Sequence, residues 1–211
     1  QGWTPFILDT NGDGKRGEYV PHDKPLDPKK DKQVMLNHYS VAISPADGSI
    51  WATVLGYPGA VIRVVPGADP TNTALTEVYE PPLPGYGPRG GDIASDGVFW
   101  LSLSSGHLAS FDRRKCKVTN GPRATGKHCR EGWTLHQFPG PQLHDVKDPG
   151  SAETSYYVWV DWFNVLGLVD ANHDDAAIVA DLLQAAGIVA AVRFGGGVSG
   201  HIKLVPQFLD W

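Results

Sequence analysis

One pattern appears twice in the chain, and this repeat limits the possible folds more than any other feature. Each copy has an apolar segment, an Asp-Gly pair and a segment of β-branched or aromatic residues that ends in Trp, at residues 38–51 and 89–100. Asp-Gly between apolar segments is a strong β-hairpin signal, because a type I′ turn needs positive φ at both central residues. A Gly and another apolar segment follow each copy, at 59–64 and 106–112. Each copy therefore predicts three or four short antiparallel strands, the organisation of one β-propeller blade.

Other segments extend the two blades and begin a third. Residues 75–79 predict an edge strand after the first blade, and residues 133–139, apolar at alternate positions, predict the outer strand of the second. Residues 156–163 are rich in Tyr, Trp and Val, which favour strands, and predict the start of a third blade. The 25 Gly, 17 Pro and seven Trp of the 211 residues are also typical of a loop-rich all-β protein.

Ile43, Asp47-Gly48 and Trp51 of the first copy, and residues 91–112 of the second, carry a resemblance to a known group. They resemble the streptogramin-lyase-like and gluconolactonase-like bacterial propellers, and related secreted proteins, over about residues 1–168. The resemblance implies a propeller fold. In the lyases it also implies a magnesium-dependent site at the mouth of the central channel, with a His as general base near a carboxylate. Their His-x-His pair with a following Glu does not occur in these blades, so the reaction is not carried over.

Changes in composition divide the chain into three parts. Residues 1–32 are a candidate calcium loop followed by a charged, Pro-rich linker; residues 33–168 form the blades; residues 169–211 are a tail. In the tail, Asp170 or Asn172 can cap a helix that ends at Gly187. Its apolar residues recur at helical spacing: Ile178, Val179, Leu182, Leu183 and Ala186. Residues 188–192 either continue this helix or begin a strand, and residues 202–205 predict a last short strand.

The sequence does not decide whether the propeller ring closes, because six or seven blades need far more chain than these 211 residues. Three arrangements fit: an incomplete propeller whose tail covers an open edge, a ring completed by a second copy, or a compact barrel or sandwich with blade-like hairpins. We predict an all-β fold of blade-like antiparallel hairpins, an incomplete or oligomer-completed β-propeller with one C-terminal helix. A homo-oligomer is therefore one of the expected states.

The sharpest local chemistry lies near the N-terminus. Asp9, Asn11 and Asp13 occupy alternate positions, Gly14 permits a sharp bend, and Lys15 can offer its carbonyl oxygen. Glu18 can close the shell with a bidentate carboxylate, two positions earlier than in an EF-hand. Calcium is a hard cation that binds this set of oxygen ligands, so we predict a structural Ca²⁺ site. The alternative is a pair of tight turns with solvated carboxylates.

The two cysteines, Cys116 and Cys129, lie in one polar, solvent-facing stretch. A disulfide there would stabilise the fold by about 3 kcal/mol in the chain-entropy model. Two free thiols or a metal pair are the alternatives, although Cys-x-x-Cys zinc spacing is absent. The first residue is Gln rather than Met, as expected after removal of a signal peptide or after trimming. Together with the cysteines, this predicts a secreted or periplasmic protein.

Charge and hydropathy exclude two classes of partner. The net charge is −5 with acidic and basic residues interspersed, which argues against a nucleic-acid surface. No continuous apolar run reaches the roughly 18–20 residues that a membrane span requires. The expected partner is therefore a small molecule, a glycan or a protein ligand.

Three polar residues are the candidates for catalysis. His38 precedes the inner strand of the first blade, and Arg89 with Asp92 occupies the corresponding place in the second. Inner strands converge on the channel of a propeller, so the three side chains could form one cluster. The alternative is structural: Asp92 fixes a turn and His38 caps a strand end.

Two functions of different class follow from these features. The first is a secreted, calcium-stabilised β-propeller-like module that binds a ligand or partner. The second is a divalent-metal-dependent lyase or lactonase, in which an ion such as Mg²⁺ polarises a carbonyl oxygen and a channel His moves a proton.

Overall fold

A computed structural model describes residues 3–137 and 156–162, and the backbone of 176–180, 188–193 and 201–206. Short helical segments occur at α1 (Pro70–Thr73) and at two 3-10 turns, Arg113–Lys115 and Arg130–Gly132. The strands are β1 (Phe6–Leu8), β2 (Tyr19–Val20), β3 (Asp31–Val34), β4 (His38–Ile43), β5 (Ile50–Val54), β6 (Ala60–Val65), β7 (Leu75–Tyr79), β8 (Pro88–Ile93), β9 (Phe99–Leu103), β10 (His107–Phe111), β11 (Trp133–Gln137), β12 (Tyr157–Asp161), β13 (Ala176–Ala180), β14 (Ile188–Arg193) and β15 (His201–Pro206).

The strands form three antiparallel four-stranded meanders in chain order. They are β4 to β7, β8 to β11 and β12 to β15. The N-terminal strands enlarge the first meander, since β1 pairs in parallel with β7 and the sheet continues through β3 to β2. The all-β prediction is confirmed. The predicted edge strand, β7, instead lies between β6 and β1.

Both Asp-Gly pairs lie in hairpin loops, but the loops are longer than the two residues of a type I′ turn. They connect Ile43 to Ile50 and Ile93 to Phe99. In each loop the Asp carboxylate accepts a hydrogen bond from the backbone N–H two residues later, from Ser49 to Asp47 and from Val98 to Asp96. The Gly then takes positive φ, +68° at Gly48 and +85° at Gly97. These side-chain turns widen the loop without losing the hairpin.

The first strands of the first two meanders share an irregularity. The β4 register shifts by one residue between His38 and Val41, and the β8 register shifts in the same way between Pro88 and Gly91. A one-residue bulge at matching positions bends both strands alike. The sequence repeat is thus also a repeat in backbone geometry.

Strand β8 lies between the first strands of the other two meanders, in contact with both β4 and β12. The Gly91 N–H donates to Ser40 Oγ (3.2 Å), and the Val160 N–H donates to Asp92 Oδ2 (3.0 Å). The Trp162 indole N–H donates to the Ile93 carbonyl at 2.9 Å. Polar bonds therefore join the three meanders along one strand.

Aromatic residues fill the core between the first and second meanders. The Trp51 ring stacks on Phe99 at 5.5 Å between centroids, and Tyr79 meets Phe111 at 4.5 Å. These four side chains are 2% exposed or less. Full burial of a large apolar side chain contributes about 1.5–3 kcal/mol. All four side chains belong to one hydrophobic cluster that both sheets share.

The C-terminal helix prediction is wrong where the structure describes the tail. Residues Ala176–Ala180 form β13, paired with β12, and Ile188–Arg193 form β14. Both segments are short apolar runs whose periodicity suits helix and strand. Pairing of β13 with β12, and of β14 with β13, favours the strand. The predicted cap and the residues Leu182 to Gly187 lie outside the described residues. The predicted last strand is confirmed by β15, which pairs with β14.

Within the described residues, no helix has the length and apolar character needed to cross a membrane.

Candidate calcium loop and ligand cleft

The candidate calcium loop begins directly after β1, at Asp9. Asp9 Oδ1 accepts a hydrogen bond from the Gly12 N–H (2.7 Å), and Oδ2 accepts one from the Gly14 N–H (2.8 Å). Positive φ at Gly12 (+82°) and Gly14 (+75°) allows the chain to wrap around the carboxylate. Asp9 is 8% exposed, so the loop encloses its own first acidic side chain.

The next polar residues of the loop form successive turns. Asn11 Oδ1 accepts from the Asp13 N–H at 2.9 Å, and Asp13 Oδ1 accepts from the Lys15 N–H at 2.8 Å. Each bond uses one side-chain oxygen of the accepting residue and so fixes the orientation of that side chain. The predicted Asp9, Asn11, Asp13 and Lys15 therefore share one compact loop.

Glu18, the predicted closing ligand, has a different neighbour. Its carboxylate forms an ion pair with Lys30 at 3.0 Å, and its side chain is 84% exposed. The hydrogen bond to Glu18 raises the pKa of Lys30. The acidic residue that lies against the loop is Asp31, the first residue of β3. Its Oδ2 accepts from the Gly17 N–H at 2.7 Å.

Sequence reasoning did not identify Asp31. It follows a charged, Pro-rich segment in which spacing gives no metal-binding signal. Only the β1–β3 register, which pairs Leu8 with Lys32, could have brought it beside the loop.

The disulfide between Cys116 and Cys129 is confirmed, with the two Cα atoms 5.1 Å apart. The loop that it closes packs against the candidate calcium loop. The Asn120 side-chain amide donates to Asp9 Oδ2 (2.9 Å), and the Gly121 N–H donates to the Asp9 carbonyl (2.7 Å). Asp9 thus links the N-terminal strands to the segment that follows β10.

Glu77 fixes the chain just before the disulfide loop, at Arg113. Its carboxylate lies between Arg63 of β6 (3.0 Å) and Arg113 (2.5 Å), and it also accepts from the Tyr79 hydroxyl. The ion pair with Glu77 raises the pKa of Arg113. Because burial, with Glu77 adding to it, raises the pKa of Tyr79, the phenol stays protonated and donates.

Within the described residues, no group of three or more His, Cys, Asp or Glu side chains is preassembled to hold a metal ion. The acidic side chains of the loop are neighbours, and like charges repel at short range. Ligation would therefore require the carboxylates to close around the cation.

No protein-family model matches the chain, and no curated protein matches it.

The three candidate catalytic residues each have a separate structural environment. The Arg89 guanidinium lies 4.4 Å from the centre of the Tyr156 ring and donates to Ser104 Oγ at 3.0 Å. Asp92 accepts from the backbone N–H groups of Ile93 and Val160. His38 is exposed at the start of β4, where its register partner is Val54. In the described part of the chain, no hydrogen bond or ion pair joins any two of the three.

A cleft of about 530 Å³ opens between the end of β3 and the connection from β5 to β6. Apolar side chains are left exposed along it: Met35 is 70% exposed, Leu55 48% and Tyr57 75%. A second cavity of about 180 Å³ shares Tyr57 and Glu80 with this cleft and is also lined by Arg130. The Tyr57 ring, which lines both cavities, lies 5.6 Å from the ring of Tyr86.

Proposed function

We propose that the chain is a secreted, calcium-stabilised β-propeller-like module that binds a small molecule or a glycan. The observation that carries this proposal is the cleft beside Tyr57. Isolated apolar residues on a surface need no explanation, but Met35, Leu55 and Tyr57 line one concavity of ligand size. An exposed tyrosine ring offers a flat apolar face, which suits an aromatic group or the face of a sugar ring.

The propeller-like arrangement is supported by the meanders. Three four-stranded antiparallel units follow each other in sequence, and the first strand of the second contacts the first strands of the other two. Blades of a propeller are related in this way. A ring completed by further blades or by a second copy agrees with the apolar residues Tyr39, Val41 and Ile43, which are exposed on β4, the end strand of its sheet among the described residues.

Secretion is supported by the disulfide, because such bonds persist in oxidising compartments. The calcium part of the proposal is supported by the oxygen-rich loop at Asp9 and by its packing against the disulfide loop. A cation bound there would hold the N-terminal strands and the disulfide segment together.

The lyase or lactonase alternative has no comparable support. It needs a proton-transferring histidine near a carboxylate. Arg89 and Asp92 bond to different partners, and His38 is exposed. Three other described histidines, His107, His128 and His136, are packed among aromatic rings or hydroxyl groups.

The binding function can be tested with the apolar dye anilinonaphthalene sulfonate. We expect the wild-type protein to enhance the fluorescence of the dye, and Tyr57→Ala to weaken dye binding by roughly tenfold, the equivalent of about 1.4 kcal/mol. Tyr19→Ala is the matched control, because Tyr19 is an exposed tyrosine outside the cleft. Equal dye binding by the wild type and Tyr57→Ala would remove the cleft as the ligand site.

A further inference from the structure

The register of the N-terminal sheet brings a second acidic residue to the candidate calcium loop. In the antiparallel β1–β3 ladder, Leu8 pairs with Lys32. The ladder ends with this pair, and the next residues on the two strands are Asp9 and Asp31. Directly opposed residues on antiparallel strands have Cβ atoms about 4.5–5.5 Å apart, so continuing the register by one residue would place these two acidic residues next to each other. Like charges in such a pair are destabilising.

Asp31 is also the most deeply buried acidic group of this region. It is 0% exposed, and its Oδ1 atom has no hydrogen-bond partner, while Oδ2 accepts from the Gly17 N–H of the loop. A buried carboxylate oxygen without a partner costs free energy unless a cation or donor compensates it. The unpartnered atom thus belongs to a buried carboxylate whose other oxygen is bonded to the loop.

No basic side chain supplies that compensation. Among the ion pairs of the described residues, none includes Asp9, Asp13 or Asp31. The nearby basic groups are engaged elsewhere: Lys30 with Glu18, Arg16 with Thr4 and the Thr71 carbonyl, and Lys32 with the carbonyls of Pro21 and His22. The three carboxylates thus form a negative site without a protein counter-charge.

We propose that Asp31, and not Glu18, is the carboxylate that closes the calcium shell of the Asp9 loop. This inference rests on the proposed calcium loop. The ligands are then side-chain oxygens of Asp9, Asn11, Asp13 and Asp31 with the Lys15 carbonyl, a hard oxygen set that suits Ca²⁺. The ion joins β1 to β3 and so fixes both ends of the linker between them.

Titration calorimetry with calcium alone separates the two closing residues. The proteins are the chelator-stripped wild type, Asp31→Asn and Glu18→Gln, which change charge with little change in size. We expect Asp31→Asn to weaken calcium binding by roughly tenfold or more, since affinity depends on the number of charged ligands. Glu18→Gln should stay within about twofold of the wild type. Weakening by Glu18→Gln with unchanged binding by Asp31→Asn would overturn the inference.

Thermal unfolding of the same proteins distinguishes the loss of a calcium ligand from a general loss of stability. Without calcium, Asp31→Asn should unfold at a higher temperature than the wild type, because a buried uncompensated charge has been removed. With calcium the order should reverse. A variant that is less stable than the wild type in both conditions would contradict the proposal. A wild type that binds no calcium would instead refute the calcium loop itself, and calcium binding retained by Asp31→Asn would refute only the role of Asp31.

Discussion

Three buried or partly buried histidines show how single residues set the pH response of this protein. The Ser105 hydroxyl lies 3.0 Å from His107 Nδ1, and it accepts from the Tyr86 N–H. His128 packs against the Tyr79 ring and His136 against Trp100. Burial lowers the pKa of all three below the ordinary value of 6.5. Each is therefore neutral in the folded protein at neutral pH.

The sign of the pH dependence follows from these lowered values. A base whose pKa is lower in the folded state contributes its full stability above the unfolded value of 6.5. This stability is lost as the pH falls below 6.5 towards the folded pKa, because the unfolded chain takes up the proton first. Between pH values near 7.5 and 5 we expect Tm to fall, and to fall less in His107→Gln than in the wild type. His22→Gln, at an exposed histidine, is the control. An equal fall in Tm for His107→Gln and the wild type would contradict this account.

At the scale of elements, β8 joins the three meanders, and Gly90 lets β12 approach it closely. The Gly90 N–H donates to the Tyr156 carbonyl at 2.8 Å. A Cβ atom at position 90 would overlap the Tyr157 ring and the Tyr156 carbonyl. Gly90 is thus required by close packing and not by a turn.

Gly90→Ala should destabilise the fold by about 1–3 kcal/mol, the usual cost of overpacking a filled site. Since the overlap is with the Tyr157 ring, the cost should be smaller when Tyr157→Ala is also present. Chemical unfolding of the two single variants and the double variant measures this coupling. Additive effects would show that Gly90 and Tyr157 do not meet in solution.

The elements also show what local sequence can and cannot predict. Asp47-Gly48 and Asp96-Gly97 identified both hairpins because the turn chemistry is local. The apolar run Ala176–Ala180 misled, since its spacing suits helix and strand and only the edge of β12 decides between them. Asp31 was missed because its position beside Asp9 depends on a strand pairing that no spacing encodes. The cleft was missed for the same reason, as Met35 and Tyr57 are brought together by the sheet.

At the scale of the whole molecule, the Asp9 loop is where separate parts of the chain meet. The loop begins directly after β1 and bonds to Asp31, the first residue of β3. It also bonds to Asn120 and Gly121 inside the disulfide loop. A cation at this junction would stabilise the fold by binding only the folded state, by about 2.7 kcal/mol at a hundredfold excess over its Kd. Calcium and the disulfide would then stabilise one shared junction.

The central claim is that calcium stabilises this fold through the Asp9 loop, and Tm measured with and without calcium tests it most directly. The wild type, Asp9→Ala/Asp13→Ala and the control Asp23→Ala are each unfolded in millimolar calcium and in excess chelator. Asp23 is an exposed acidic residue of the linker. We expect calcium to raise Tm of the wild type and of the control by several degrees and to leave the double variant unchanged. A wild-type Tm that is the same in calcium and in chelator would contradict the account.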